Sequence, residues 1–415
     1  MSACDNSVLG ASQGLVCESI PLRDSRTASV MEAEIRVLRS VSELEEIRSV
    51  WESWPGHRDS DIDFFLTVVR SSPETIRPHV IVAYRDGHPD AILIGRIDKT
   101  TFPLRLAYWK LPAPRVRLLT FVIGAQRGNS SPEMSELLLN EALGSLQRGE
   151  ADLARLEFVR LGSPLYRLAQ ILPGKLGRDH SAVSQPQWSM DLPQTYEDVL
   201  KALSHDLRKE LRRTTKRIES DFRTVTVKCF ERPDELETML ADIEDVAVRS
   251  YQRRIGVGFR SSEYMRQLLL FQAKRARLLG YVLYVEDKPR AFSLGCLYNG
   301  VFYSDDIGFD PDFSKYSPGT VLQARVLEDL CARGIKSIDF GPGDALYKAR
   351  FATTRHEEAS LYLYPSNSRG VALNSLRIVT IAATESSKKV ASQVHILPWI
   401  KRKLRGKKSA GRGSQ

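Results

Sequence analysis

The stretch GVFYSDDIGFDPDFSKYSPGTVLQARVLEDLCARGIKSIDFGPGDALYKARF, residues 300–351, decides the fold. Val301 to Phe309 alternates as a strand does and carries Asp305 and Asp306, while Ile335 to Phe340 is a second short apolar strand containing Asp339. Between them the spacing predicts a helix: Leu322, Val326 and Leu330 recur four apart, Leu327 and Cys331 lie beside them, and Gly334 supplies the stop. Strand, packed helix and strand make a βαβ crossover. Its helix entrance lies at the carboxyl end of the first strand, where open α/β sheets bind ligands.

That entrance is Ser317-Pro318-Gly319-Thr320. A serine at the N-cap accepts a bond from an otherwise unpaired amide, and proline suits the first helical position because its missing N–H is not needed there. Gly319 and Thr320 then present backbone donors in a first turn whose dipole is worth about 0.3–1 kcal/mol to an anion. The spacing predicts a phosphate seat at Ser317, Gly319 and Thr320, against the plainer reading of a capped helix with no ligand; the βαβ setting favours the seat.

Working outward, HVIVAYRDGHPDAILIGRID (79–98) reads as a hairpin turning at Asp86-Gly87. The strands LRLAYW and VRLLTFVIG follow, then a helix from Pro132 to Gln147 and the strand LARLEFVRL. The same order of strands, helix and strand recurs between Tyr281 and Phe340, with helical stretches (Val41 to Val69, Arg232 to Arg277) before each set. The chain reads as two copies of one α/β unit, joined near residues 180–195 at a Ser/Gln/Pro-rich stretch.

With 415 residues and 42% hydrophobic content, two domains plus tails are expected. Cysteines 4, 17, 229, 296 and 331 form no Cys-x-x-Cys pair, which argues against a disulfide framework and for a reducing cytosol. The seven histidines show no metal-ligand spacing, so no metal is expected; His205 and His356 read as surface residues or lone bases. No apolar run approaches the roughly 18 residues of a membrane span. Residues 1–33 are polar and small and read as a disordered leader.

Charge is asymmetric. Residues 386–415 carry nine Lys or Arg and no acid, which equals the net charge of +9 and leaves the rest of the chain balanced. Trp399, Ile400 and Leu404 lie among these cations, as in interfacial segments, and each basic residue near an anionic membrane is worth about 1 kcal/mol. Peripheral contact with the inner membrane face and a solvated tail are both open readings, with RNA binding third; no specific nucleic acid is expected. On the helix His205 to Glu219, Arg208 and Arg212 stack at four-residue spacing, as do Lys209 and Arg213. A bound phosphate would relieve their repulsion, and Asp206, Glu210 and Glu219 offer a solvated-face alternative.

Residues 300–351 resemble the carboxy-terminal half of the CelD-like acetyltransferases, members of the GNAT acyltransferase superfamily with distant Fem-like relatives. The matching pieces are Tyr316-Ser317-Pro318-Gly319, Gly334, Asp339-Phe340-Gly341 with Gly343, and Tyr347-Lys348 followed by Phe351. GYVLYVEDKPRAFSLGCLYNG resembles the family's paired central strands, turning at Asp287 to Pro289, and the likeness covers about residues 195–365. The superfamily's phosphate-loop pattern, Arg or Gln followed by Gly-x-Gly or Gly-x-Ala, is broken by Thr320 and Val321, which leaves coenzyme A, a carrier protein and a charged transfer RNA open as the acyl carrier.

The resemblance implies an α/β fold of tandem GNAT-like domains, each a mixed twisted sheet flanked by helices, over residues 34–190 and 191–368, followed by a helical and basic tail from 369. It implies an enzyme that moves an acyl group from acetyl- or acyl-coenzyme A to an amine or hydroxyl of an amino sugar, polysaccharide or envelope precursor in the cytoplasm. A Fem-like aminoacyl-tRNA-dependent transferase and a catalytically silent membrane-associated scaffold are the alternatives. Direct attack in a ternary complex is implied, with the carrier arm along Ser304 to Ile307 and its phosphates on Ser317, Gly319 and Thr320. Asp339, Asp305 and Asp306 are base candidates, Tyr347 the acid for the departing thiolate and Lys348 a cation for substrate charge, with Arg208, Arg212 and Arg350 as substrate-binding candidates. Each aspartate also reads as a loop cap, and Tyr347 and Phe351 as core.

Overall fold

The computed structural model describes residues 33–106, 109–250, 253 and 258–393, so most of the expected leader and the end of the basic tail lie outside the described residues. The first half of the chain forms β1 (Glu34–Leu38), α1 (Val41–Glu46), α2 (Arg48–Ser53), α3 (Ile62–Ser71), β2 (Thr75–Arg85) and β3 (His88–Thr101). A small hairpin of β4 (Arg105–Leu106) and β5 (Trp109–Lys110) follows, then β6 (Arg115–Gly128), α4 (Pro132–Gln147), β7 (Leu153–Arg160), α5 (Pro164–Ile171), α6 (Gly174–Gly177) and β8 (Ser184–Asp191). The second half forms α7 (Tyr196–Ala202), α8 (His205–Asp221), β9 (Val225–Phe230), α9 (Leu236–Arg249), α10 (Glu263–Lys274), β10 (Leu278–Val285), β11 (Lys288–Tyr298) and β12 (Val301–Phe309). It ends with α11 (Pro318–Ala332), β13 (Ser337–Pro342), α12 (Leu346–Phe351), β14 (Thr354–Leu363) and α13 (Ser368–Gln393).

Local chemistry accounts for these elements. Asp86 and Gly87 both take positive φ (54° and 76°), the mirror-image turn that matches strand twist, so the hairpin turns where expected. The next hairpin turns one residue earlier than expected, at Glu286 and Asp287 (φ 49° and 60°). On α8, Leu207, Leu211, Thr214 and Ile218 lie on one buried stripe and the charges on the other face. The helical stretch expected over Val41 to Val69 is broken into α1, α2 and α3, and that over Arg232 to Arg277 into α9 and α10.

All the long strands join one mixed sheet of twelve, in the order β1-β2-β3-β6-β7-β14-β8-β13-β12-β11-β10-β9. The order is a tandem repeat with an exchange at its centre. Each half builds five strands, and then sends its sixth to the other half: β8 pairs with β13, while β14 pairs with β7 and also with β8. The Ser/Gln/Pro-rich stretch expected as a join is therefore a central strand. Pro186 is tolerated there because the ladder between β8 and β13 runs only from Asp191 to Gln187. Leu361 and Leu363 of β14 belong to the core of the first half, beside Leu156, and Met190 of β8 to that of the second.

Both halves share a second feature. Parallel β12 and β13 pair only from Val301/Ser337 to Tyr303/Asp339, and parallel β6 and β7 only from Leu118/Leu153 to Phe121/Leu156. Beyond those pairs the strands part. Bulges explain why: β12 carries an extra residue, Asp305, against Leu294/Gly295 of β11, and β13 is irregular against β8 between Asp339 and Gly341. A bulge bends its strand and raises the local twist, so bulges on both strands just past the last pair turn them apart.

Leu361→Ala, which empties a fully buried site shared by two chain halves, is expected to destabilise the protein by about 2–5 kcal/mol in urea unfolding. His79 is buried with Nε2 3.1 Å from Ser145 Oγ, and burial lowers its pKa from 6.5 to about 4. The unfolded chain then takes up a proton that the folded chain refuses, so this residue removes stability as pH falls from about 6.5 towards 4. The difference in unfolding midpoint between wild type and His79→Asn should shift in the mutant's favour across that window.

Candidate active site

The parting of β12 from β13 leaves the β13-facing edge of Ser304–Phe309 without a strand partner. Such an edge offers backbone donors and acceptors to an extended ligand. Ser304 Oγ is buried at this place with no hydrogen-bond partner among the described residues. Asp305, the bulge residue, is held by both guanidinium Nη atoms of Arg58, one at 2.7 Å. Asp306 makes no such pair; burial, then the charge of Asp305, raises its pKa to about 6.

Arg58 arrives from the other half of the chain, and the sequence reading missed it. It starts the short 3-10 turn Arg58–Ser60, which places His57 edge-on to the Tyr303 ring at 4.9 Å and the Arg58 guanidinium 4.8 Å from the same ring. Buried Arg127 of β6 fixes the turn by donating to Ser60 Oγ (2.9 Å), His57 O (3.1 Å) and Trp54 O (3.2 Å). Gly124 makes room for it: a Cβ there would lie 2.6 Å from the Cβ of His57. His57 Nδ1 accepts the Asp59 amide (3.2 Å), so the neutral ring carries its proton on Nε2 as a donor. Burial, then the charge of Arg58, lowers its pKa from 6.5 to about 4. The faint sequence signal was Pro55-Gly56 before His57-Arg58, a turn that presents two polar side chains.

Asp339, opposite Tyr303 in the parallel pair, faces the same space. Its Oδ1 accepts Gln187 Nε2 of β8 at 2.6 Å and the Gly341 amide at 2.7 Å. Burial raises its pKa, opposed by the Gly341 amide and by the charges of His57, Arg58 and Lys348. Lys348 of α12 is buried and donates to Gly341 O (3.1 Å) and Pro342 O (2.8 Å), and burial lowers its pKa from 10.5 to about 8. Tyr347 packs edge-on against Phe340 with ring centroids 6.4 Å apart, and burial pushes its phenol well above 10. Asp339 and Lys348 therefore both bond to the backbone of Gly341, while Tyr347 sits against the core.

The helix entrance differs from expectation. Ser317 occupies the N-cap of α11 but in the left-handed region (φ 49°, ψ 53°), and its hydroxyl makes no capping bond. The cause is the preceding 3-10 turn Pro311–Tyr316, which runs straight into the helix and leaves one residue to reverse the chain. The Thr320 amide donates to Ser317 O at 2.9 Å, so of the three seat residues it is Gly319 whose amide has no acceptor among the described residues. Ile307 lies on the unpaired edge. Arg217 and Lys315 stack on Tyr316 beside the entrance.

The structure gives the three arginine candidates other surroundings. Arg208 donates to Leu200 O and Lys201 O (3.4 and 3.1 Å), capping the end of α7; Arg350 pairs with Glu210; Arg212 is exposed on α8. His205 is exposed, and His356 lies 2.9 Å from Glu358. Among the described residues no group of three or more His, Cys, Asp or Glu could hold a metal ion, and no helix is long and apolar enough to cross a membrane.

Residues 205–349 match the family model of the acetyltransferase (GNAT) domain. The GNAT match spans the basic helix, the paired central strands, β12, β13 and Lys348 but not His57 or Arg58, and together with the fold it supports the GNAT superfamily and an acyltransferase. No curated protein matches the chain. Among solved structures, FemX superposes with TM-score 0.54 at 12% identity over 79% of this chain and 96% of its own. A tandem GNAT protein from the clavulanic acid biosynthesis pathway gives 0.49 at 9% identity, over 81% and 100%. The C-terminal domain of a putative lysylphosphatidylglycerol synthetase from Agrobacterium fabrum gives 0.49 at 14% identity, over 82% and 97%. At these identities the likeness is one of fold.

The Arg58–Asp305 pair ties the two halves together at the cleft. A double-mutant cycle with Arg58→Met and Asp305→Asn, read by urea unfolding, is expected to give a coupling energy of about 0.5–3 kcal/mol.

Proposed function

We propose that the protein transfers an acyl group from a coenzyme A thioester to an amine, within the CelD-like branch that residues 195–365 resemble. The observation that carries this reading is the parting of β12 from β13. An unpaired strand edge, a buried Ser304 hydroxyl without a partner and the free Gly319 amide lie along one path, and all three suit an extended amide-containing arm that ends in phosphates. Coenzyme A would supply the activated acyl group as a thioester, held by the edge Ser304–Ile307 and by Gly319, with Lys315 and Arg217 near its phosphates. The acceptor is an amine, and a site of action in the cytoplasm belongs to the same proposal.

The chain's residues then divide the proton work. Asp339, whose carboxylate is half-buried at the last parallel pair, takes the proton of the attacking amine as the nitrogen–carbonyl bond forms. His57 offers a neutral N–H donor on the opposite wall, and Arg58 holds Asp305 out of the reaction. Lys348 is the better proton donor to the leaving sulfur: its pKa of about 8 is near that of a thiol, whereas burial moves Tyr347 away from it.

Because Lys348 must be protonated to donate, kcat/KM is expected to fall as pH rises through about 8, and Lys348→Met should remove that alkaline limb and slow turnover about 10²–10⁴-fold. Tyr347→Phe, assayed alongside, should leave both limb and rate; the reverse result would transfer the acid role to Tyr347. For the carrier, Gly319→Ala adds a Cβ whose nearest neighbour is Phe309 at 3.6 Å and should fold and bind coenzyme A, whereas Gly319→Asp should fold and bind it weakly in calorimetry. Equal binding by both would remove the helix entrance from the site. Transfer from aminoacyl-tRNA in place of acyl-coenzyme A would instead favour a Fem-like enzyme.

A further inference from the structure

The first half of the chain repeats the parted strands but not the open cleft. Two residues past the last parallel pair, the second half has Gly341 (φ 73°) and the first half has Phe158 (φ 44°). At Gly341 no side chain intrudes, and Lys348 Nζ comes within 3.8 Å of where a Cβ would stand. At Phe158 a phenyl ring lines the space instead, in a backbone conformation that bulky residues avoid, its amide held by Ser360 Oγ of the exchanged strand β14 at 3.2 Å. Tyr264 of α10 and Phe64 of α3 supply further walls. What remains is a cavity of about 260 Å³, smaller than the roughly 300–1,000 Å³ of drug-sized pockets. Such a space suits a small metabolite.

Its polar groups are specific. Arg96 gives its Nε to Asp98 Oδ1 at 3.1 Å, and its two Nη groups have no partner among the described residues. Asp59 also lines the cavity, and its carboxylate accepts no hydrogen bond among the described residues; the nearest cation is Arg58, with Nε at 3.4 Å. A forked cation for a carboxylate, a carboxylate awaiting donors and aromatic walls line one half-open cavity. Asp59 also directly follows Arg58, which grips Asp305 at the acyl cleft, so an amine on Asp59 stands beside the residue that walls the cleft.

We infer that this cavity is the acceptor site and takes a small amino acid or amino-acid-like amine, its carboxylate on Arg96, its ammonium on Asp59 and its side chain among Phe64, Phe158 and Tyr264. The inference rests on the acyl-transfer reading for its place in the reaction, but not for binding itself. Calorimetry on the full chain with L-phenylalanine, L-leucine and L-serine, and with their carboxamides, tests it directly. At least one free amino acid should bind, its carboxamide about 10- to 100-fold more weakly, and Arg96→Met and Asp59→Asn should each cost a similar factor. Ile123→Trp, which fills the cavity without touching either charge, should abolish binding while leaving a cooperative thermal transition. No binding by any of the three amino acids, or undiminished binding in Arg96→Met or Ile123→Trp, overturns the assignment whether or not coenzyme A binds. Amino-acid binding with no response to coenzyme A would uphold the cavity and sink the transferase reading instead.

Discussion

Strands β12 and β13 share three residue pairs and then separate, and the site depends on that separation. A continued ladder would satisfy the backbone of Ser304–Phe309 internally and bury it. Two bulges, one on each strand, prevent this by turning the strands apart just past Tyr303 and Asp339. The backbone groups left over cost free energy unless something pairs with them, which makes the edge a receptor for an extended ligand. Asp339 ends the paired part of β13, and the Gly341 turn lies just beyond it, where β13 leaves β12.

The opposite wall comes from a distant part of the chain. His57 and Arg58 are delivered by a short turn pinned from below by Arg127, and the turn approaches closely only because Gly124 lacks a side chain. The site is thus composite, and one continuous sheet keeps its two contributors in register. That arrangement explains the ion pair between Arg58 and the exposed Asp305: desolvating Arg58 is costly, and the bidentate carboxylate offsets it.

Legibility in the sequence followed distance along the chain. The strand, helix and strand from Val301 to Phe340, the turn at Asp86-Gly87 and the stop at Gly334 were all readable because their causes lie within a few residues. Arg58 could not be placed by any local pattern, because its partner Asp305 is 247 positions away. Strand β8 was hidden for a related reason: Ser184-Gln185-Pro186-Gln187 has loop composition, and only β13 and β14, both from the second half of the chain, make it a strand. Ser317 shows a subtler failure. Its residue type suits a cap, but the helical turn before it forces a left-handed backbone that takes the hydroxyl out of reach.

The exchange of β8 and β14 has a consequence for synthesis. Phe158 of β7 is held by Ser360 of β14, 202 positions later. At roughly 5–20 residues per second, β7 leaves the ribosome some 10–40 s before the strand that covers its edge. During that interval the first half presents an apolar, unpaired sheet edge, the kind of surface that invites aggregation or capture by a chaperone. The nascent first half is therefore a client rather than a finished domain, and its folding has to wait for the second half to be made.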